Sequence, residues 1–355
     1  MAISVSSVNA AESGISVYGV ADAGVVSIRE RDAQGVDRRQ TGLISGGYTD
    51  SLWGIQGRED LGHGFQAVFT LESGFDMTTG KSDRDDKFFD KAAWAGLFSA
   101  EYGDLRFGRQ ETAAQQMFSQ LEIASWEDMG LGATFLASDN FQLNNSVNYF
   151  SPAWQGFSFG LGYSFDMTGN SNAGRASTHT GAAVQYNNAP WLFVASWDQG
   201  NIAERNLAGP GRPQAWQLGV SYDFQTVKVS AAWSRQKNGY AGLNGGDPDS
   251  LGIGLGTQEF ANGGSLDAYL LGVAVPVGAG RILAQWSMVR PRWTWSNGED
   301  ATTGHVATLG YVFNLSKRTQ LYAMAGATWH YSLDQQIIQG QGPMTRYMVG
   351  LHHSF

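Results

Sequence analysis

The residues of this chain that could do chemistry point to the sorting of charged solutes rather than to bond making. Arg106 stands between Leu105 and Phe107, and Arg58 ends an alternating stretch that contains Trp53. Side chains alternate between the two faces of a β-strand, so both arginines are expected on a polar face that lies opposite an apolar one. Fixed charges on the wall of an aqueous passage select solutes by charge, without a nucleophile or a metal.

The sequence offers little to catalysis or metal binding. It contains no cysteine, which excludes disulfides and thiolate metal sites. Its six histidines show no metal-ligand spacing beyond His352-His353, and neighbouring residues on a strand point in opposite directions. No combination of Ser, His and acidic residues with the spacing of a hydrolase is evident. We therefore expect no enzyme activity, no cofactor and no metal.

These charges must be positioned by strands, because period-two alternation recurs along the whole chain. In residues 157–165 the odd positions are large and apolar, whereas the even positions are all Ser or Gly. The outer side chains of a soluble sheet would instead be rich in Lys, Glu and Thr. About sixteen alternating segments occur, near 14–28, 51–59, 65–76, 88–102, 105–110, 143–151, 157–165, 178–188, 191–199, 214–225, 227–236, 266–278, 281–290, 305–317, 319–332 and 344–355.

The connections between these segments alternate in length. Short turns lie at 60–64, 102–104, 153–156 and 278–280, and long polar loops lie at 29–50, 111–142, 166–177, 200–213 and 237–265. Short turns at one rim and long loops at the other are typical of outer-membrane barrels. We predict an all-β fold, a 16-stranded antiparallel transmembrane β-barrel with both termini on the periplasmic side.

Composition agrees with this fold. Hydrophobic residues make up 42% of the 355 residues and the mean hydropathy is −0.25, with no apolar run near the roughly 18 residues of a spanning helix. The 47 glycines, 8 prolines and 12% aromatic residues suit many strands and tight turns. The net charge of −9 argues against nucleic acid as a partner.

The two ends of the chain differ in character. Tyr347, Val349, Leu351 and Phe355 share one strand face, as in the closing strand of an outer-membrane barrel; an edge strand of a soluble sandwich is the alternative. Residues 1–11 lack a basic region and a long apolar core, so we expect either the remnant of a signal peptide or an artificial start. Residues 12–355 are expected to form a single barrel domain.

Six blocks of sequence carry a family resemblance, at 17–24, 53–62, 71–75, 107–110, 145–149 and 349–355. On these blocks the chain resembles the general diffusion porins of Gram-negative outer membranes, most closely the β-proteobacterial type. The resemblance implies passive diffusion of ions and small hydrophilic solutes. It also implies a homotrimer in contact with outer-membrane lipid and lipopolysaccharide, and a third extracellular loop, about 111–140, folded into the barrel. Gly19, Ala21 and Ala23 are small enough for a trimer contact, or merely fill the curve of the barrel.

The resemblance also implies a constriction with basic residues on the wall and carboxylates on the inward loop. The basic candidates are Arg58, Lys91, Arg106 and Arg109. The acidic candidates are Glu111, Glu122, Glu127, Asp128 and Asp139. Lys91 precedes an Ala-aromatic-Ala-Gly-Leu run where the family usually has an inward Arg, and its placement assumes that Ala92, Trp94 and Phe98 face lipid. Solvated surface charges or loop-anchoring pairs are the alternative for each of these residues.

The chain departs from the family at several lumen positions. Leu52 stands where an Arg is common, and the inward positions of the sixth strand are the neutral Gln142, Asn144 and Asn148. Each missing charge inside a narrow pore shifts ion preference. We predict weaker anion selectivity than is usual for the family, with a preference for cations left open.

Other interpretations remain open from the sequence alone. One is a solute-specific channel for a small organic anion or sugar, and another is a structural or adhesive barrel with a closed lumen. Trp286, Trp293, Trp295 and Trp329 are interpreted as an interfacial girdle rather than a solute-stacking site. Arg290 and Arg292 with Trp293 and Trp295 are a candidate basic-aromatic patch at the mouth.

Overall fold

The computed structural model describes residues 13–31, 35–126, 129–135, 142–167, 176–201, 212–239, 258–331 and 342–355. Within these ranges one antiparallel sheet contains β1 (Gly14–Arg31), β2 (Asp37–Ser45), β3 (Leu52–Gly62), β4 (Phe65–Gly74), β5 (Ala92–Ser99), β6 (Gly103–Glu111), β7 (Gln142–Phe150), β8 (Phe157–Ser164), β9 (Thr178–Asn188), β10 (Trp191–Asn201), β11 (Gln214–Asp223), β12 (Lys228–Lys237), β13 (Ser265–Val277), β14 (Gly280–Pro291), β15 (Gly304–Asn314), β16 (Thr319–Trp329) and β17 (Met344–Ser354). Two short helices, α1 (Ala113–Phe118) and α2 (Gln258–Ala261), lie in connections. No described helix has the length and apolar character needed to cross a membrane.

The sheet closes on itself, because β1 pairs antiparallel with β17 from Val20↔Ser354 to Arg29↔Thr345. β2 and β3 both pair with β1 and together occupy a single position in the wall. β3 pairs with residues 14–20 of β1, and β2 pairs with residues 23–31. The 17 described strands therefore form a 16-stranded barrel, which confirms the predicted fold. Closure leaves no exposed sheet edge among the described strands, as a membrane barrel requires.

The prediction of a loop over the whole of 29–50 was wrong. β1 continues to Arg31, and β2 occupies Asp37–Ser45 as its partner. The first five residues of β2, Asp-Arg-Arg-Gln-Thr, are all polar, so this end of the hairpin lacks the apolar alternation that marks the other strands. Backbone pairing with β1, rather than side-chain pattern, makes this segment a strand.

The two faces of the wall differ as the alternation predicts. Val17 is 65% exposed and Leu43 is 72% exposed on the outer face. Ser196, Ser221 and Ser230 are buried on the inner face. A barrel in lipid inverts the usual arrangement, because its largest apolar side chains face outward into hydrocarbon.

The orientation expected for β5 was wrong. Ala92 pairs with Glu72, which lies on the inner face, and Trp94 lies beneath the guanidinium of Arg106 at 4.5 Å. Leu97 is instead the exposed, outward residue, opposite Leu105. An aromatic residue on a strand favours the lipid face, but the ring of Trp94 instead packs against the inward guanidinium of Arg106.

Candidate pore and constriction

The third loop folds into the barrel and packs on its inner wall. Thr112 caps α1 by accepting a hydrogen bond from Gln115 N at 3.1 Å, and α1 then contacts β8, β9 and β10. Phe118 and Phe135 stack with ring centroids 5.6 Å apart, and both side chains are fully buried. The loop thus has an apolar core of its own against the wall.

Glycines on the inner wall make room for this loop. A Cβ built at Gly160 would lie 2.9 Å from Ala113 Cβ, and one at Gly272 would lie 2.6 Å from Ile123 Cγ1. The same holds at Gly219, beneath Leu121, and at Gly326, beneath Met129. The loop therefore passes along the inner faces of β8, β11, β13 and β16.

Inner-wall side chains hold the loop backbone. Gln285 Oε1 accepts hydrogen bonds from the N–H groups of Ile123 at 3.0 Å and Ala124 at 3.3 Å. Gln236 Nε2 donates to the carbonyl of Thr134 at 2.7 Å, and Thr308 donates to that of Met129 at 3.1 Å. These bonds satisfy loop groups buried away from bulk water, so the loop is anchored at several points.

Of the two described acidic candidates, Glu111 and Glu122, the carboxylate of Glu122 anchors the loop itself. Glu122 accepts hydrogen bonds from Leu131 N and from Ser125 Oγ at 2.8 Å, which ties two turns of the loop together. The carbonyl of Glu111 accepts from Asn148 Nδ2 at 2.8 Å. For Glu122, the structure favours the loop-anchoring alternative. Glu127, Asp128 and Asp139 lie outside the described residues.

Two of the basic candidates lie in tightly packed surroundings. Arg106 donates through Nε to Asp104 at 2.7 Å and lies between the rings of Trp94 and Phe150, at 4.5 and 4.9 Å. Each such cation–π contact stabilises by about 0.5–2 kcal/mol. Its charge is thus compensated by Asp104 and screened by two rings.

Arg109 connects the second loop, residues 75–91 between β4 and β5, to the start of β7. It donates to the carbonyl of Asp90 at 2.6 Å, to Asn144 Oδ1 at 2.8 Å and to the carbonyl of Gln142 at 3.3 Å. Arg109 pairs with Ala93, and both residues lie on the strand face opposite to that of the inward Trp94, which is the outer face. Gln142 and Asn144, expected as neutral lumen positions, are hydrogen-bond partners of this arginine.

Lys91 is surrounded by carboxylates at the extracellular end of the inner wall. Its Nζ lies 2.8 Å from Asp50, 3.4 Å from Asp83 and 4.0 Å from Asp90. Burial disfavours the charged form of Lys91, but the three carboxylates outweigh it and raise the pKa of the amine. Burial raises the pKa of Asp83, although Lys91 opposes this shift. The cluster carries a net charge of about −2 when all four groups are ionised.

The remaining candidates lie on β3 and β7. Leu52 and Arg58 share the inner strand face with Gly54, which lies between Tyr18 and Glu72; Tyr18 donates to Glu72 Oε1 at 2.5 Å. Arg58 is partly exposed beside Val68, and Asn148 is buried against Glu111. The structure does not gather the four basic candidates into one row.

A polar network on the inner wall was not anticipated. Asp22 accepts hydrogen bonds from Tyr322 Oη at 2.6 Å and Tyr48 N at 3.3 Å, and His352 Nδ1 lies 3.3 Å away. Tyr48 belongs to an inward fold at 46–51 between β2 and β3, and its hydroxyl accepts from Arg281 Nη2 at 2.7 Å. Strand parity indicates that Arg281 faces inward, but nothing local in the sequence predicts its tyrosine partner.

The closing strand has the expected orientation. Tyr347, Val349 and Leu351 are 55%, 57% and 42% exposed on the outer face. Phe355 N donates to the carbonyl of Gly19 at 3.0 Å, and Gly19 N donates back to Phe355 O at 3.2 Å. The ring of Phe355 covers Gly19, where any Cβ would collide with it. The last residue thus completes the seam between β17 and β1.

A closed barrel with an apolar outer wall, a polar inner wall and an inward loop defines an outer-membrane channel of the porin class. The family model described as Gram-negative porin matches residues 1–329. The chain is 32% identical to an outer membrane porin protein of Bordetella pertussis, over 97% of this chain and 95% of that protein. It is 28% identical to outer membrane porin protein 32 of Delftia acidovorans, over the same shares of the two chains.

Solved structures agree with these relatives. The anion-selective porin from Comamonas acidovorans matches with a TM-score of 0.75 and 25% identity, over 97% of this chain and all of the other. The chain belongs to the Gram-negative porin family. It is an integral outer-membrane protein that forms a channel for passive diffusion, and it is not an enzyme. The expected relation to β-proteobacterial porins is confirmed.

Proposed function

We propose that the narrowest part of this channel lies between the third loop and the opposite wall, formed by β1 to β6 and β17. One observation carries the proposal: the described part of the loop packs on the inner faces of β8 to β16. Charged side chains lie on the remaining strands, including Asp22, Glu72 and Arg106. Solutes would pass between these two surfaces and be selected there by size and charge.

The proposed selectivity is weak and leans towards cations. Lys91 is outnumbered by Asp50, Asp83 and Asp90, and Arg106 is compensated by Asp104. Such pairs present little net positive field to a passing anion, because nearby opposite charges cancel at a distance. The relative from Comamonas acidovorans is described as anion-selective; the neutral Leu52 and the compensated cations support a different balance here.

A planar bilayer experiment tests this proposal. The reversal potential of the purified protein is measured across a potassium chloride gradient. We expect a small potential with the sign of cation preference, because Lys91 is outnumbered by three carboxylates and Asp104 compensates Arg106 on the proposed wall. A potential close to that of a strongly anion-selective pore would overturn the selectivity while leaving the channel intact. Absence of any conductance would favour a barrel with a closed lumen.

A further inference from the structure

The outer wall carries a row of charged residues at the extracellular ends of β12 to β14. Register places Arg235 opposite Asp267, and Asp267 opposite Arg290. On the next strand, Trp216 lies opposite Arg235 and is 51% exposed. Gln236, one residue further along β12, is fully buried and bonds to the third loop. The row therefore faces away from the lumen.

Asp267 organises two of the arginines. Arg235 donates to it through Nε at 2.7 Å and Nη2 at 2.9 Å. Arg292 donates through Nε at 2.7 Å, with its Nη2 at 2.6 Å from the same carboxylate. The Asp267 side chain is 1% exposed, whereas those of Arg235 and Arg292 are 33% and 49% exposed. Each guanidinium has five N–H donors, so Asp267 leaves donors on both arginines for another acceptor.

The row has a surplus of positive charge. Three arginines face one aspartate, which leaves a net charge of +2, and Arg290 makes no ion pair with a carboxylate among the described residues. Lys237 lies two residues beyond Arg235 on the same strand face. The predicted mouth patch of Arg290, Arg292 and two tryptophans is therefore divided, since Trp293 is buried and stacks on Phe260 at 5.0 Å.

The level of the row in the membrane follows from its neighbours. Trp197 and Trp216 lie on the outer face with ring centroids 5.9 Å apart, and aromatic residues of this kind mark the boundary between lipid and water. Arginine on the lipid face is costly at the midplane and tolerated at the interface. The arginines thus lie where the headgroups of the outer leaflet begin.

We propose that Arg235, Arg290 and Arg292, oriented by Asp267, bind the phosphate groups of a lipid headgroup in the outer leaflet, namely the phosphorylated glycolipid of lipopolysaccharide. The planar guanidinium matches phosphate in a two-pronged hydrogen bond, and Asp267 holds two of the three forks in place before the lipid arrives. The site rests on the outer-membrane location of the family and not on the proposed selectivity, because it lies on the opposite face of the wall from the pore.

The test uses the full chain in detergent with a chelator, so that divalent cations cannot bridge phosphates to carboxylates. Native mass spectrometry measures binding of diphosphorylated lipid A, of the same lipid after removal of its phosphates, and of inorganic phosphate. We expect the phosphorylated lipid to bind at least about tenfold more tightly than the dephosphorylated one, as the loss of charge-assisted hydrogen bonds implies. The double variant Arg290→Gln/Arg292→Gln should bind the phosphorylated lipid about tenfold more weakly than the unchanged protein does.

Arg318→Gln is the matched control, because it removes an exposed arginine from the turn between β15 and β16, at the opposite rim. It should bind lipid A as the unchanged protein does. Unchanged bilayer conductance shows that each variant is folded, since none of these three arginines lines the proposed pore. Equal binding of both lipids, or full binding by the double variant, overturns the site. Inorganic phosphate bound as tightly as the lipid overturns the assignment to a headgroup.

Discussion

Charged side chains on the inner wall act in groups rather than singly. Lys91 contacts three carboxylates, Arg106 contacts Asp104 between two rings, and Asp22 connects Tyr322, Tyr48 and His352. The electric field in the lumen therefore depends on which members of each group are ionised. A formal count of arginines and lysines along the strands is a poor guide to selectivity for this reason.

At the residue scale, Asp83 should make selectivity depend on pH. Burial raises the pKa of this carboxyl, so it accepts a proton at a higher pH than an ordinary aspartate as the solution is acidified. The Lys91 cluster then loses a negative charge, and the preference for cations should fall between about pH 7 and about pH 4. The Asp83→Asn variant should show a lower preference for cations already at about pH 7, and this preference should change less on acidification. Reversal potentials measured across this pH range give the comparison.

Asp86 supplies the control from the same loop. The hydrogen bond from Arg84 is the main cause that lowers the pKa of Asp86, to about 2. This residue stays ionised through the tested range, so Asp86→Asn should retain the pH dependence of the unchanged protein. The same pH dependence in Asp83→Asn would show that another group titrates in the pore.

At the element scale, the third loop and the inner wall are matched surfaces. Ile123 illustrates the match: its side chain lies over Gly272, and its N–H donates to Gln285. Interior packing is tight enough that one added methyl group displaces its neighbour or costs about 1–3 kcal/mol. The path of the loop therefore depends on small side chains distributed over several strands.

Gly272→Ala should move the loop away from the wall and narrow the pore. The added Cβ would lie 2.6 Å from Ile123 Cγ1 and 2.9 Å from Ile123 Cβ, which the branched side chain cannot avoid by rotating its tip. We expect lower single-channel conductance and a lower unfolding temperature. Gly42→Ala is the control, since a Cβ at Gly42 meets no atom within 4 Å. Equal conductance in the two variants would contradict the proposed seating of the loop.

At the scale of the whole molecule, the outer wall differs around its circumference. The region at β12 to β14 carries the arginine row. At β1 the ring of Phe355 instead covers the small Gly19. Near β1, Trp53 contacts Phe88 and Phe89 of the second loop at ring distances of 6.3 and 6.4 Å, and Phe88 is 71% exposed. An exposed aromatic side chain on a loop beside β1 suits contact with a second copy.

The homotrimer that the family resemblance implies should make its contact through β1 and the second loop. The unboiled protein should migrate as an oligomer on a denaturing gel and as a monomer after heating. Phe88→Ser should lower the temperature of this change, and Phe224→Ser, an exposed aromatic in the turn after β11, should not. Monomeric migration of the unheated, conducting protein would contradict the trimer.

The sequence by itself determined the barrel, because apolar side chains for the lipid face alternate with small or polar side chains for the lumen face along each strand. The faces of β8, β11, β14 and β17 follow directly from that period, as does the outward row of Tyr347, Val349 and Leu351. The failures have local causes. The all-polar start of β2 hides a strand, and Trp94 in β5 looks like a lipid-facing residue although it serves Arg106.

Only the tertiary structure decided the site. Tyr48 meets Arg281 across 233 positions of sequence, and Ile123 meets Gln285 across 162. Such contacts arise when the barrel closes and brings distant strands around one lumen, and no local pattern encodes them. The alternation of side chains along a strand shows whether a charged residue lies on the inner or the outer face of the wall. The partner that compensates the charge depends on register, strand order and the path of the inward loop, which are properties of the closed barrel alone.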